Sequence, residues 1–217
     1  MAYGVAHLVT AAKKAVHAMR RRCAAMSITD PALQCKLFNS QVMPILSYAS
    51  EVWAVDPNIG AGAELLHRQF LKQLLRVRNS TSNQIVLAEI GRYPLQFHYW
   101  QQILRFHNRA LRMPNDNPRL VRLALLEGAV LQDHGQVSEA STAKNWRRSL
   151  DAFLSTQPGH PRSFTNLDVS TIVDGLKEGY QSALYADDEH SSLVMYRSLQ
   201  PEYMYAPYLY RAFAIGS

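Results

Sequence analysis

Two cysteines in 217 residues, Cys23 and Cys35, are too few for a disulfide framework, and neither belongs to a CxxC pair of the kind that builds a zinc site. Both are expected to act as small apolar residues in helices. Long apolar runs are missing as well: nothing approaches the roughly 20 residues needed to cross a bilayer. The first ten residues contain His7 and lead into Lys13-Lys14, which is not a signal-peptide pattern. A cytoplasmic or nuclear setting without membrane contact is therefore expected. Period-two alternation is scarce, so no convincing strand emerges, and there is no internal repeat or low-complexity tract. Acid is scarce in one half only. Residues 1–113 carry 14 Lys and Arg against 5 Asp and Glu, whereas 114–217 carry 9 against 12. This asymmetry points to a polyanion, nucleic acid or an anionic surface, as the partner of the first half, with solvated helix faces as the plainer explanation.

What the chain does have is apolar residues, 47%, against 18% charged, the balance of a folded chain with a real core. The apolar positions recur at helical steps, and the expected class is all-α. The periodicity predicts a first helix over Val5–Met26, with Lys13, His17, Arg20 and Arg21 on its outer surface. Arg20-Arg21-Arg22 can be read as a phosphate contact, a localisation signal or a solvated helix end favoured by the dipole. Asp30-Pro31 reads as an N-cap followed by proline at the first helical position. Pro44 is expected to kink or break that second helix. Glu51 has no partner acid nearby and reads as a polar contact for an arginine, not a general base.

The stretch from Glu64 to Leu95 appears central. Glu64, Arg68, Lys72 and Arg76 fall four residues apart and are expected on one face, with Leu66, Phe70, Leu74 and Val77 on another. A Ser/Thr/Asn break at 79–83 precedes a short helix that Gly91 can end in a left-handed conformation, and Pro94 suits the next first turn. No nucleophile, metal cluster or phosphate loop lies here, so the chemistry reads as binding. The helix starting at Pro94 is expected to run to Met113, with Arg105, Asn108, Arg109 and Arg112 opposite its apolar side. Phe97, His98, Tyr99 and Trp100 offer rings for base stacking, although core packing is the commoner fate of such a cluster. His98 and His107 lack the spacing of a metal helix. Beyond the break at 113–118, helices are expected over Pro118–Leu131, from Ser141-Thr142 past Leu154, and after a cap at Asp168. The end is rich in tyrosine. Two modules are expected: a basic helical one over 1–113, and a helical, loop-rich one over 114–217.

Tyr185-Ala186-Asp187-Asp188 spells a two-aspartate motif that polymerases use to hold catalytic metal ions. Its context argues against that use. The flanks lack the apolar strand residues that such a hairpin tip requires, and the preceding Leu176, Tyr180 and Leu184 keep a helical register. The motif is read as an acidic helix end or loop.

Several segments together resemble a known family. Leu37-Phe38, Val42 through Trp53, His67 through Arg78 with Ser80-Thr81, and Gly91 through Leu95 are similar, in order and spacing, to the region after the catalytic palm in reverse transcriptases of LINE-type (non-LTR) retrotransposons. Trp146, Ser192 to Tyr196 and Tyr208-Leu209 look like the part leading toward a C-terminal zinc knuckle. The likeness is good over 1–113 and weaker over 140–210. The resemblance implies a helical thumb and connection that hold template and primer. The palm would precede Met1 and the knuckle would follow Ser217, so it implies polymerase ancestry without polymerase activity, with no catalytic residue, metal or cofactor. The expected partners are an RNA or DNA template-primer or another polyanion, and the palm of the parent polymerase. The residues expected to contact phosphates are Arg68, Lys72, Arg76, Arg78, Arg92, Arg105 and Arg109, acting by charge and counterion release. The Gly91–Leu95 corner is expected to turn the Arg68 and Arg105 faces the same way. The alternatives are a helical scaffold for a protein partner anchored by the C-terminal tyrosines, and a degenerate element fragment without a selected function.

Overall fold

A computed structural model describes residues 2–56, 58–112, 123, 142–156 and 167–186. The described residues are helical with no strand, so the protein is all-α as its periodicity predicts. Helices α1 (Ala2–Ala25), α2 (Pro31–Gln41), α3 (Met43–Leu46), α4 (Ser50–Trp53), α5 (Ala61–Leu74), α6 (Asn83–Ile90) and α7 (Leu95–Leu111) are followed by α8 (Thr142–Ser155) and α9 (Val169–Ala186). The boundary expected at 113–114, the Asp187-Asp188 pair and, except for Leu123, the helix expected over Pro118–Leu131 lie outside the described residues.

The local signals act as physics dictates. Asp30 caps α2, its carboxylate accepting from the Ala32 and Leu33 amides at 3.0 and 3.2 Å. The second helix breaks ahead of Pro44: α2 stops at Gln41, Val42 stands between, and the one-turn α3 carries the proline in its first turn. Asp168 caps α9, with its Oδ1 accepting from the Ser170 and Thr171 amides. Hydroxyl bonds from Ser170 and Thr171 add to these and hold its carboxyl down at about 2.

Three helix ends share one device, a left-handed residue that lets two amides reach back to the last free carbonyls. After α6 it is Gly91 at φ 68°, with Arg92 N bonded to Leu87 O at 2.8 Å and Gly91 N to Ala88 O at 3.1 Å. After α1 it is Ser27 at φ 53°, with Ile28 N on Cys23 O at 2.8 Å. After α5 it is Arg76 at φ 56°, with Val77 N on Lys72 O at 3.0 Å and Arg76 N on Gln73 O at 3.2 Å. Only the first uses a residue to which this conformation comes without a Cβ penalty.

The chain divides into two compact units that interleave in sequence. One takes Met1–Tyr48, Asn58–Phe97 and Leu176–Ser217; the other takes Ala49–Pro57 and His98–Gly175. In the first, Val5, Ala12, Val16, Met19 and Cys23 of α1 form the buried stripe, and α1 packs on α2, α3 and α5. Phe38 of α2 and Phe70 of α5 stack at 4.3 Å between centroids, and Leu66, Leu71, Leu87 and Ile90 complete this core. In the second, Trp100 of α7 stacks on Phe153 of α8 at 3.7 Å, and Tyr99 meets Trp53 edge-on at 5.0 Å. Two polar clasps reinforce it. Trp146 Nε1 donates to Glu51 O at 2.7 Å, and buried Asn108 both donates to Leu167 O at 2.7 Å and accepts from Leu167 N at 2.9 Å. Tyr99 and Trp100 are therefore core residues, as the packing reading of the aromatic cluster holds.

The three left-handed ends give a stability prediction read from urea midpoints. Gly91→Ala is expected to lose about 1 kcal/mol, the Cβ penalty at positive φ. Arg76→Gly relieves the same penalty at the end of α5, and its relief offsets the added chain entropy of glycine, so it is expected to be neutral or stabilising by up to about 1 kcal/mol. A loss at Arg76→Gly as large as that at Gly91→Ala would contradict this account.

Candidate nucleic-acid interface

The seven cations expected on a polyanion surface separate into two sets. Arg68, in the middle of α5, is half-buried, and its Nε donates to Glu64 Oε1 at 2.7 Å. Lys72 is buried, and its Nζ donates to Asn79 O at 2.7 Å, closing the loop after α5 onto the helix. Arg92, just past Gly91, donates from Nη1 to Asn39 Oδ1 at 2.9 Å and from Nη2 to Cys35 O at 3.3 Å, tying the corner to α2. These three guanidinium and ammonium groups hold the fold. Arg76, Arg78, Arg105 and Arg109 are exposed.

The expected continuous basic face of α5 is corrected by where the helix stops. Four-residue spacing places Arg76 in line with Arg68 and Lys72 only while the helix continues, and α5 ends at Leu74. Arg76 enters the left-handed region and Val77, expected on the apolar face, is 38% exposed. Arg105 and Arg109 do lie one turn apart on the outer side of α7, and the Arg109 guanidinium sits 5.6 Å from the Phe106 ring centre, a cation–π contact. Arg68, Lys72, Arg76, Arg78 and Arg92 belong to the first unit, and Arg105 and Arg109 to the second.

Sequence reasoning missed the role of Glu64. Its Oε2 accepts from Leu95 N at 2.7 Å while Oε1 holds Arg68, so one carboxylate caps the start of α7 and orients a neighbouring arginine. The residue lies 31 positions before the amide it caps, and no local pattern signals that. The two ends of α1 and α5 were missed as well. A Cβ built on Gly62 would lie 3.6 Å from Val9 Cγ2, and eleven residues further along both helices Arg20 Nη1 donates to Gln73 Oε1. Helices α1 and α5 therefore run parallel, and in that register Arg21 and Arg22 stand level with the last residues of α5, just ahead of Arg76 and Arg78 in that chain segment. A signal existed in hindsight: both segments carry basic residues near their ends, Arg20 to Arg22 and Arg76 with Arg78.

The buried titratable groups belong to packing. His67 of α5 is 1% exposed, sits 5.8 Å from the Phe38 ring centre, and neither ring nitrogen has a hydrogen-bond partner among the described residues. Burial, helped by the charges of Arg92 and Arg68, pushes it down to about 3, so it is neutral in the fold. Burial with Arg105 nearby lowers His98 also, and burial raises Cys35 against the opposing pull of Arg92. Among the described residues no group of three His, Cys, Asp or Glu could hold a metal ion, and no helix is long and apolar enough to cross a membrane. No family model, curated protein or solved structure matches the chain.

Two outcomes follow from this sorting. Lys72→Ala is expected to lower stability by about 1–3 kcal/mol, because a buried side chain and its charged hydrogen bond to the Asn79 carbonyl are both lost, whereas Arg78→Ala stays within about 0.5 kcal/mol; equal effects in urea unfolding would refute the division. The second concerns pH. His67 takes up a proton only on unfolding, since its folded pKa of about 3 lies below the unfolded value near 6.5. Its contribution is fully present above pH 6.5 and is lost as pH falls toward 3, on the order of 2 kcal/mol by pH 5. His67→Leu is expected to flatten that part of the pH–stability curve, and an unchanged curve would reject the assignment.

Proposed function

We propose that the chain is a non-catalytic nucleic-acid-binding module that grips backbone phosphates through its basic surface, a thumb-like descendant of a non-LTR reverse transcriptase working in a cytoplasmic or nuclear setting. One observation supports the reading above the rest. Among described residues up to 112, ten cations are exposed (Lys13, Lys14, Arg21, Arg22, Lys36, Arg76, Arg78, Arg105, Arg109 and Arg112), against a single exposed acid, Asp56. Two of the remaining acids are half-buried helix caps: Glu64 caps α7, and Asp30 caps α2. A surface from which anions have been withdrawn carries a strong positive potential, which attracts a polyanion and raises its association rate. The exposed cations include no array of base-reading side chains on one recognition helix, so contact by charge implies weak to moderate, sequence-insensitive binding. The partner under this reading is an RNA or DNA template-primer duplex, with the palm domain of a parent polymerase as a protein neighbour.

Affinity for a fluorescent primer-template duplex, measured against salt, tests the reading. Log K should fall linearly with log salt, and Arg105→Gln with Arg109→Gln should reduce the steepness by up to about 2 units, close to 0.9 per phosphate released. A flat salt dependence, or no binding at low salt, would reject nucleic acid as the partner.

A further inference from the structure

Resting on that reading, we infer that the principal phosphate-binding locus is the shared C-terminal end of α1 and α5, where it takes the backbone of a nucleic-acid duplex. Two independent contacts establish the shared end. Gly62 of α5 lies against Val9 of α1, and Gln73 of α5 accepts a hydrogen bond from Arg20 of α1, eleven residues further on in each helix. Equal spacing along both chains requires parallel helices in register over about 16 Å. In this register Arg21 and Arg22 of α1 stand level with Leu74 and Leu75, where α5 gives way to the turn that carries Arg76 and Arg78, and α1 runs on to Ala25.

The arrangement is more than a tally of charge. The left-handed turns at Ser27 and Arg76 end both helices, at φ 53° and 56°; Arg21 and Arg22 lie in the last two turns of α1, and Arg76 and Arg78 lie on the segment just past α5. Arg21, Arg22, Arg76 and Arg78 are exposed, and their side chains make no hydrogen bond or ion pair with other described residues. Helix-dipole stabilisation accounts for a cation in a last turn, such as Arg22, but Arg76 and Arg78 stand beyond the end of α5. Four unpaired guanidinium groups in one locality repel one another, and an arriving polyanion relieves that repulsion while releasing its counterions.

The missing aromatics choose between nucleic-acid forms. Gripping a single strand relies on rings on which bases stack. The exposed Phe, Tyr and Trp side chains among the described residues are Tyr3 and Tyr48, neither within the 20–28 and 73–81 stretches that bound the locus, and Tyr3 stands at the far end of α1, about 27 Å from Arg21. Among the described residues the locus therefore offers arginine side chains suited to phosphate and no exposed Phe, Tyr or Trp ring, which suits a duplex backbone.

The test uses the full chain with a labelled 20-base-pair duplex, a single strand of the same length, and vesicles containing phosphatidylserine, the last because Met26 and Val77 expose apolar surface beside the arginines. The variant Arg21→Gln/Arg22→Gln/Arg78→Gln leaves Arg20 and Arg76 in their structural positions, and its melting curve should match that of the unaltered protein. It is expected to lower the steepness of the duplex salt dependence by about 2 to 3 units. Lys13→Gln/Lys14→Gln/Lys36→Gln removes the same charge elsewhere and should change it by less than half as much. Equal effects of the two variants, or no effect of the first while the unaltered protein still binds duplex, overturn the locus and leave the nucleic-acid reading standing. Tighter binding of the single strand overturns the duplex assignment. Failure of the unaltered protein to bind any nucleic acid overturns both readings, and binding to vesicles alone gives the surface to a membrane.

Discussion

Glu64 joins two helices that are far apart in sequence through one side chain. A carboxylate mostly withdrawn from water must have its oxygens satisfied, and here one accepts the Leu95 amide at 2.7 Å and the other the Arg68 guanidinium at 2.7 Å. The Leu95 amide is itself one of the orphan donors that every helix start leaves behind, so the same bond meets two obligations. Around this point the corner becomes determinate. Gly91 reverses the chain at positive φ, and Arg92, released from the helix, spans back to Asn39 and the Cys35 carbonyl of α2. The corner is thereby attached to α5 through an acid and to α2 through a base. The apolar contact between α2 and α5, with Phe38 stacked on Phe70, lies in the same core.

What the amino-acid order makes legible here is whatever closes within four or five residues. Asp30, Gly91 and Asp168 are caps whose partners lie next door, and each is found in its expected place. The apolar stripe of α1 is similarly local, because a 3.6-residue period needs no knowledge of the partner. The end of α5 escapes the same reasoning. A left-handed arginine is unfavourable by propensity, and it persists because two backbone bonds reach back into the last turn and because Lys72, from inside the fold, draws the Asn79 carbonyl toward the helix. Those are consequences of packing, and periodicity extrapolates past them. The interleaved units are equally hidden. Trp146 clasps the Glu51 carbonyl and Asn108 clasps Leu167, contacts 95 and 59 residues apart that no composition shift announces.

The expected interface is altered in the same way. Seven basic residues look equivalent in one dimension, yet three of them hold carbonyls, an amide oxygen or a carboxylate, and four face water. Arginine suits both tasks because its planar fork can satisfy several acceptors at a corner or lie open to phosphate. Spacing cannot distinguish them, since the distinction depends on what lies across from each side chain.

The charges of the corner also act on the core histidine. A reactive group tuned for catalysis combines a shifted pKa with access to a cleft. His67 has the shift without the access: desolvation keeps it neutral against Phe38, and the positive charges of Arg92 and Arg68 push in the same direction. The charges that stabilise the corner thus also help hold the core histidine uncharged, while Glu64, the acid nearest them, is engaged by Arg68 and the Leu95 amide. Among the described residues up to 112 the consequence is an excess of exposed positive charge, ten cations against one acid.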